Sequence, residues 1–468
     1  MKYDETAELD IIEVDHKGRG CGRIGRNRAC AYFVFPGERI LARLAGRRQG
    51  TYRMVTEKML ETSPHRLTPP CPHAGQCGGC KWQMVDYGFQ LEMKEKMLTE
   101  SLDPVGIIPP RLPGADGNPM PKDGIPHGQG PLINGRGNTG IDMLPCPDQF
   151  RYRNRMDFAV SWRGEIGLKA PGHWNRYIEI TDCRLLSPEA SEVLEQVRDW
   201  MRKGGIEPWD SRFQRGSLRY VVIREGKNTG ERLVMVLTAK PELPDEAGLI
   251  ERLRPLATTL CHGVNDTLTD LSHAAKLRLL SGLPELTEEV NGRRYAIPVN
   301  SFFQTNTLMA GRLADTVREF LSDRPVSTLL DLYCGVGFFG IQLADMVERV
   351  VGVEIDEQAV AVAAGNAERN GLKNAAFTAA AAESLVWENE RPDTVIVDPP
   401  RAGLHPKVIR TLLEKSPERI AYVSCNHESL AREWPELSKG YACTKIRALD
   451  MFPHTPHVET VALLERKG

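Results

Sequence analysis

Four short stretches carry residue types that could do chemistry. Asp331-Leu-Tyr333-Cys-Gly335-Val-Gly337-Phe338-Phe-Gly340 is a glycine-rich loop after an apolar run. Val-Ile-Val-Asp398-Pro-Pro-Arg401-Ala-Gly403 and Tyr422-Val-Ser-Cys425-Asn426 each close another, and Glu459 stands just ahead of a last one. Residues 335–340 match the G-x-G-x-x-G of nucleoside-cofactor loops, where glycine lets the backbone approach a ligand that a Cβ would exclude. The next apolar run, Arg349-Val-Val-Gly-Val-Glu354, ends in an acid suited to ribose hydroxyls. NAD and S-adenosylmethionine both carry adenosine and fit this pair equally. Acidic Asp331 at the start of the loop favours the cofactor with a positive charge and no pyrophosphate.

A thiol and a carboxylate beside a sulfonium nucleoside suit one difficult alkylation. C5 of uracil is too weak a nucleophile to take a methyl group directly. A thiolate adding at C6 turns the ring into an enolate whose C5 can attack. The C5 proton must then leave on a general base before the thiol is eliminated. Cys425 has the type for the first role and Glu459 for the second. Each alone has a plainer reading, a small buried hydrophobe for a Cys at a strand end and a solvated side chain for a Glu near the C-terminus. Their company, a cofactor loop and Asp398-Pro-Pro-Arg401, favours the catalytic reading.

These residues need a scaffold. From about residue 286, apolar runs alternate with helical periods: STLLDLY, FFGIQLADM, RVVGVEI, EQAVAVAAGNAERNG, TVIVDPP, HPKVIRTLLEK and RIAYVSC. Continuous apolar strands separated by helices predict a doubly wound, Rossmann-like parallel sheet. Ligands bind beyond the carboxyl ends of such strands, which would bring Asp398 and Cys425 to the crevice of the glycine loop. Residues 64–285 read as a central α+β domain with two hairpins, over 150–169 and 217–239, and a capped helix at 187–205. Residues 1–63 read as short strands between glycine turns, the pattern of an OB-like barrel. Residues 91–102 have helical period. Between 101 and 150 there are 10 Pro and 9 Gly, and about 103–143 reads as an inserted loop.

Cys71-Pro-His73-Ala-Gly-Gln-Cys77-Gly-Gly-Cys80 offers three thiols in a tight loop, with Cys183 or Cys146 as a fourth. The spacing fits zinc and an iron–sulfur centre alike. The 468 residues include 11 cysteines, and no stretch approaches a membrane span or a secretory leader. A cytoplasmic chain is expected, with its thiols given to metal or catalysis before disulfides. Net charge is −2, yet residues 16–58 hold 11 Lys or Arg against two acids, and Arg151-Tyr-Arg153-Asn-Arg155 is a second basic cluster. Local patches rather than net charge attract phosphate, so RNA or DNA contact is expected there.

Together these motifs, with Phe302-Phe303-Gln304-Thr-Asn306 and His457-Val-Glu459, resemble the bacterial RNA 5-methyluridine methyltransferases, in particular the iron–sulfur members that act on 23S ribosomal RNA. The likeness spans nearly the whole chain except the Pro/Gly-rich insertion. It implies a TRAM domain at 1–63, a central cluster-bearing domain at 64–285 and a methyltransferase domain at 286–468. It implies S-adenosylmethionine contacts from Gln304, Tyr333, Gly335, Gly337, Glu354 and Asp398, Cys425 as nucleophile and Glu459 as proton acceptor. It also implies a [4Fe–4S] cluster on Cys71, Cys77, Cys80 and Cys183. The partner implied is structured RNA, ribosomal in preference to transfer RNA, with the target base flipped out and Phe302 or Phe303 able to stack on it. No membrane or obligatory protein partner is implied. Phe338 stands where the family often has Asn or Thr, and Ala381 near where it usually has an acid or amide.

Overall fold

A computed structural model describes residues 2–109, 141–384 and 391–468. Most of the Pro/Gly-rich stretch at 103–143 therefore lies outside the described residues. The first unit contains β1 (Thr6–Asp10), β2 (Glu13–Val14), β3 (Arg19–Ile24), β4 (Asn27–Tyr32), β5 (Arg39–Arg48) and β6 (Thr51–Glu61). Their order is β1-β5-β6-β4-β3-β2. β1 and β2 are halves of one segment, and between them the Ile12 amide donates to the Cys21 carbonyl at 2.9 Å. The segment thus bonds β5 with one half and β3 with the other, and the sheet closes on itself. Alternation along the strands sends Leu9, Ala31, Ile40, Ala42 and Leu44 inward to one core. Cys21 and Cys30 face each other across β3 and β4 and are joined as a disulfide. For this pair, the expectation that thiols serve metal or catalysis first does not hold.

Next come α1 (Tyr87–Leu102) and β7 (Asp142–Leu144). The central sheet follows: β8 (Arg155–Val160), β9 (Ile166–Lys169), β10 (Tyr177–Glu179), β11 (Leu218–Glu225), β12 (Arg232–Thr238), β13 (Thr259–Val264) and β14 (Lys276–Ser281), in the order β10-β9-β8-β11-β12-β13-β14. One of its faces buries Phe158, Val160, Ile166, Val221 and Ile223 under α2 (Pro188–Lys203) and α3 (Glu246–Leu253).

The C-terminal unit opens with a hairpin, β15 (Glu285–Val290) and β16 (Arg293–Pro298), followed by α4 (Thr307–Leu321). It continues through β17 (Val326–Leu332), α5 (Phe338–Leu343), β18 (Val347–Glu354), α6 (Glu357–Arg369), β19 (Ala375–Ala379) and β20 (Thr394–Val397). The chain ends with α7 (Pro406–Lys415), β21 (Arg419–Ser424), α8 (His427–Leu437), β22 (Tyr441–Leu449) and β23 (Glu459–Arg466). The sheet order is β19-β18-β17-β20-β21-β23-β22-β7. Strands β19 to β21 are parallel and β23 is antiparallel to both its neighbours β21 and β22. The winding reverses between β17 and β20, and a crevice opens there beyond their carboxyl ends.

The structure redraws the 64–285 boundary. β7 pairs with β22, covering what would be an exposed sheet edge. α1 buries Leu91, Leu98 and Leu102 in the core that holds Leu430, Trp434 and Leu437 of α8. Both elements belong to the C-terminal unit by packing. The tie is also polar: fully buried Lys94 of α1 donates to Asp450 Oδ1 at 2.5 Å and to the Phe452 carbonyl at 3.1 Å, and Tyr87 donates to Asp450 Oδ2 at 2.8 Å. Burial lowers the Lys94 pKa and the Asp450 charge opposes that shift. Lys94→Met would leave Asp450 buried without its cation. We expect a loss of about 3–5 kcal/mol in urea-unfolding stability, with Lys94→Met/Asp450→Asn recovering much of it.

Candidate active site and cysteine cluster

The glycine loop joins β17 to α5. Tyr333, Gly335 and Gly337 all have positive φ, 64°, 53° and 85°. A Cβ at Gly335 would meet nothing within 4 Å, so this stretch of backbone faces open space. Glu354, ending β18, is held against the loop: its Oε2 accepts from the Gly335 amide at 3.1 Å and its Oε1 from Ile355 at 2.8 Å. Asp331 is fully buried. Its Oδ2 accepts from the Gly340 amide at 2.8 Å, and its Oδ1 has no partner. Burial pushes its carboxyl up to about 7; the charges of Asp398 and Glu354 add to the shift and the Gly340 bond opposes it. An orphaned acid oxygen among three carboxylates is a site lacking a positive charge or a donor. That fits a sulfonium nucleoside held by Asp331, Glu354, Asp398, Tyr333 and Gln304. The Gln304 amide already donates to Asp398 Oδ2 at 3.3 Å.

Cys425 follows β21, Asp398 follows β20, and Glu459 begins β23. Because β23 runs antiparallel to β21, with Thr460 opposite Ser424, its first residue lies at the carboxyl ends of the parallel strands. Burial pushes the Cys425 thiol up to about 11; the charges of Glu459 and Asp398 add to this and Arg401 opposes it. Burial also raises Asp398 to about 7 and Glu459 well above the carboxylate range, Glu459 with a further push from the Asp398 charge. Two like charges so close share protons rather than ionise independently. Arg401 favours the ionised forms of both Cys425 and Glu459. Sequence reasoning placed it in a motif without giving it this part.

The Arg401 loop is locked from beneath. Its carbonyl accepts from the Asn426 side chain at 2.9 Å and the Ser429 hydroxyl at 3.0 Å. Buried Glu433 accepts from the Leu404 amide at 3.1 Å and from the Tyr422 hydroxyl at 2.6 Å. Gly403 has φ 87°, and a Cβ there would fall 1.8 Å from Glu433 Oε1. The Asp-Pro-Pro-Arg-Ala-Gly run thus makes a turn that fixes Arg401, whose charge reaches the thiol.

Of the two phenylalanines, Phe303 is core and Phe302 is 67% exposed. Phe338 is buried, its ring edge-on to Phe303 at 5.7 Å and Phe339 at 5.1 Å, so its departure from the family pattern serves packing. Near Ala381 the acid is Glu383, whose charge acts on Tyr333. Phe302, Lys81, Arg153, Arg155, Lys169 and Tyr32 line a cleft of about 710 Å³ between barrel, cysteine loop and central sheet. Arg401, Lys81 and Arg153 all act on half-buried His457, whose pKa desolvation and these cations lower to about 3.

Cys71, Cys77, Cys80 and Cys183 line one small cavity against the end of β10. Burial raises the Cys77 thiol to about 12 and Cys80 well above the thiol range; the neighbouring thiols add to both shifts, and for Cys77 the backbone amides of Gly79 and Cys80 oppose it. The Gly79 amide donates to Cys77 Sγ at 3.3 Å. No three of the four thiols come within 4.8 Å of one another. His73 shares the cavity wall, but its Nε2 accepts from the Thr181 amide at 3.0 Å. Cys146 is elsewhere, buried beneath α4 with its thiol 3.4 Å from the Asn306 amide nitrogen.

The barrel reaches this region through its β2–β3 turn: Trp82 donates its ring N–H to the Gly18 carbonyl at 3.2 Å and its backbone amide to His454 at 2.9 Å. Its basic stretch is partly neutralised. Arg19, Arg28, Arg39 and Arg43 pair with Asp15, Glu13, Asp10 and Asp4, acids that lie outside the 16–58 window. No helix among the described residues is long and apolar enough to cross a membrane.

The family model described as tRNA (Uracil-5-)-methyltransferase matches residues 271–467. An uncharacterised RNA methyltransferase of Nanoarchaeum equitans is 36% identical, over 98% of this chain and 93% of its own length. The tRNA (uracil(54)-C(5))-methyltransferase of Pyrococcus horikoshii is 36% identical over 87% of this chain and 88% of its own. The crystal structure of Pyrococcus abyssi tRNA (uracil-54, C5)-methyltransferase in complex with S-adenosyl-L-homocysteine superposes with a TM-score of 0.77 at 31% identity, over 98% of this chain and 100% of that one. A thiol, a buried acid pair and an acidic nucleoside loop thus meet in one crevice of a chain that belongs to the tRNA (uracil-5-)-methyltransferase family, and the protein is an S-adenosylmethionine-dependent RNA uracil-C5 methyltransferase.

Proposed function

We propose that the substrate is a uridine of transfer RNA, with Cys425 as nucleophile and Glu459 as base. The observation that carries the catalytic roles is the antiparallel β23, which delivers Glu459 to the strand ends where Cys425 and Asp398 already lie. When bound, S-adenosylmethionine supplies an electrophilic methyl on a sulfonium. The Cys425 thiolate, favoured by Arg401, adds to C6 of the uracil and leaves C5 nucleophilic. Once C5 carries both methyl and proton, Glu459 accepts the proton and the Cys425–C6 bond breaks. Phe302, exposed at the cleft, is the ring free to stack on the displaced base.

The Pyrococcus relatives are transfer-RNA enzymes by name, and they support that pool over the ribosomal RNA expected from the cysteine loop. The test is tritium release from RNA labelled at C5 of uridine, with separate unmodified transfer and ribosomal RNA pools. Release from transfer RNA alone supports this reading; release from ribosomal RNA alone overturns it.

The N-terminal barrel reads as an OB-like TRAM domain that grips RNA, with Arg23, Arg26, Arg47 and Arg48 available to phosphate. Cys71, Cys77, Cys80 and Cys183 read as ligands of a [4Fe–4S] cluster. A tetrahedral zinc site with bonds near 2.3 Å would draw its sulfurs to about 3.8 Å apart. The four thiols share one cavity with no three of them within 4.8 Å of one another, a spacing wider than that zinc site. Anaerobically purified protein is expected to carry about four irons per chain, and Cys183→Ser to lose them. Stoichiometric zinc in their place would remove the cluster assignment.

A further inference from the structure

The second face of the central sheet is covered over β11–β13, where Val222, Leu233, Met235 and Leu237 join a core with Met309 and Leu313 of α4, and toward β10 it borders open grooves. Opposite the core side, Arg155, Asp157 and Ala159 of β8, Lys169 of β9, Tyr177 of β10 and Tyr220 of β11 point the same way by register. Arg155 and Asp157 border the cleft of about 710 Å³ between barrel, cysteine loop and central sheet, Ala159 and Tyr220 border a separate groove of about 270 Å³, and Lys169 borders both. One continuous sheet face therefore runs from the cleft into this groove.

The groove is built of rings and guanidinium planes. Trp174 and Trp162, 75% and 39% exposed, line it, and Phe213, 66% exposed, stands beside it against Arg212. Arg163 and Arg212 lie 4.5 and 4.4 Å from the Trp162 ring centre, and Arg212 and Arg215 lie 5.5 and 6.0 Å from that of Phe213. The acids present are already engaged: Asp210 by Arg212 at 2.7 Å, and Asp270 by Lys169 and by the Tyr220 hydroxyl at 2.5 Å. Arg219 donates to the Thr267 carbonyl at 2.7 Å and pins the loop that forms the far wall.

We propose that this groove binds unpaired nucleotides of the RNA substrate away from the reacting uridine, as an extension of the cleft at Phe302. Bases stack on Trp174 and Phe213 and on the exposed guanidinium planes, while Lys169, Arg163 and Arg215 take phosphates. Duplex RNA hides its base faces and does not fit such a surface. The inference rests on the substrate being RNA and holds for either RNA pool.

The test compares binding of a fluorescein-labelled 12-nucleotide single-stranded oligouridylate with a 12-base-pair RNA duplex. Trp174→Ala/Phe213→Ala is expected to weaken the single strand by about tenfold or more, with Trp174→Tyr/Phe213→Tyr restoring it and duplex binding unmoved. Arg163→Ala/Arg215→Ala should flatten the salt dependence of single-strand binding by a slope of about 1.4, for two lost phosphate contacts. These side chains are exposed, so the fold is retained, and tritium release at saturating RNA should stay at the parent level while KM rises. Single-strand affinity within twofold of the parent overturns the proposal and leaves the groove to a protein. Loss of tritium release in the parent protein bears on the reaction and leaves the binding result standing.

Discussion

Cys425→Ala is expected to lower methyl transfer by on the order of 10⁴-fold or more, while binding of S-adenosylmethionine and RNA stays near the parent values. The size follows from the chemistry: without a thiolate at C6 there is no enolate, and C5 has no means of attack. The thiol sits in the crevice rather than in the fold's deep core, so its loss costs little packing. Tritium release in single turnover checks the rate, and calorimetric titration with the cofactor checks the site. The pH dependence has a definite sign. The reactive form is the thiolate, and burial holds the thiol near 11 in the free protein. The rate must therefore rise with pH across the neutral range. A variant that still released tritium at the parent rate would place the nucleophile elsewhere.

Glu459→Gln should have the second-largest effect, and a different one. Addition and methylation come before the proton is taken, so this variant is expected to form the Cys425–RNA bond and fail to break it. Turnover falls by about 10²–10⁴-fold, and a protein–RNA adduct that survives denaturation accumulates. Cys425→Ala forms no adduct, so one gel separates the two roles. The acid pair sets the pH response of this step. Burial raises Asp398 to about 7 and Glu459 well above the usual carboxylate range, with a further push on Glu459 from the Asp398 charge, and a base must be ionised to work. Elimination in the parent protein should therefore speed up as pH rises through about 7, as a property of the pair rather than of one carboxyl. An unchanged turnover with no adduct would give the proton to another group.

Much of the C-terminal unit was legible because its rules are local. Buried parallel strands are continuous apolar runs, glycines mark a loop with positive φ, and acids at strand ends face the crevice. Asp331, Gly335, Gly337, Glu354, Asp398 and Cys425 lie where those rules put them. The basic stretch at 16–58 misled in one respect: its partners Asp4, Asp10, Glu13 and Asp15 come from just upstream and lie beside it only once the barrel closes. Phe302 and Phe303 are adjacent and alike in type, and only packing against Tyr295 and Phe338 separates the core ring from the free one.

The sequence by itself determined the alternation of strand and helix, the cofactor loop, and the residue types for a thiol addition and a proton abstraction. Backbone preferences and hydrophobic period act over a few residues, and one chain is enough to show them. Tertiary structure decided that Glu459 and Cys425 lie at the same strand ends, that the Arg401 charge acts on both, that Cys183 joins the 71–80 loop and Cys146 does not, and that α1 and β7 pack with the C-terminal unit. These depend on strand direction, register and burial between segments far apart in the chain, where desolvation and charge act through space.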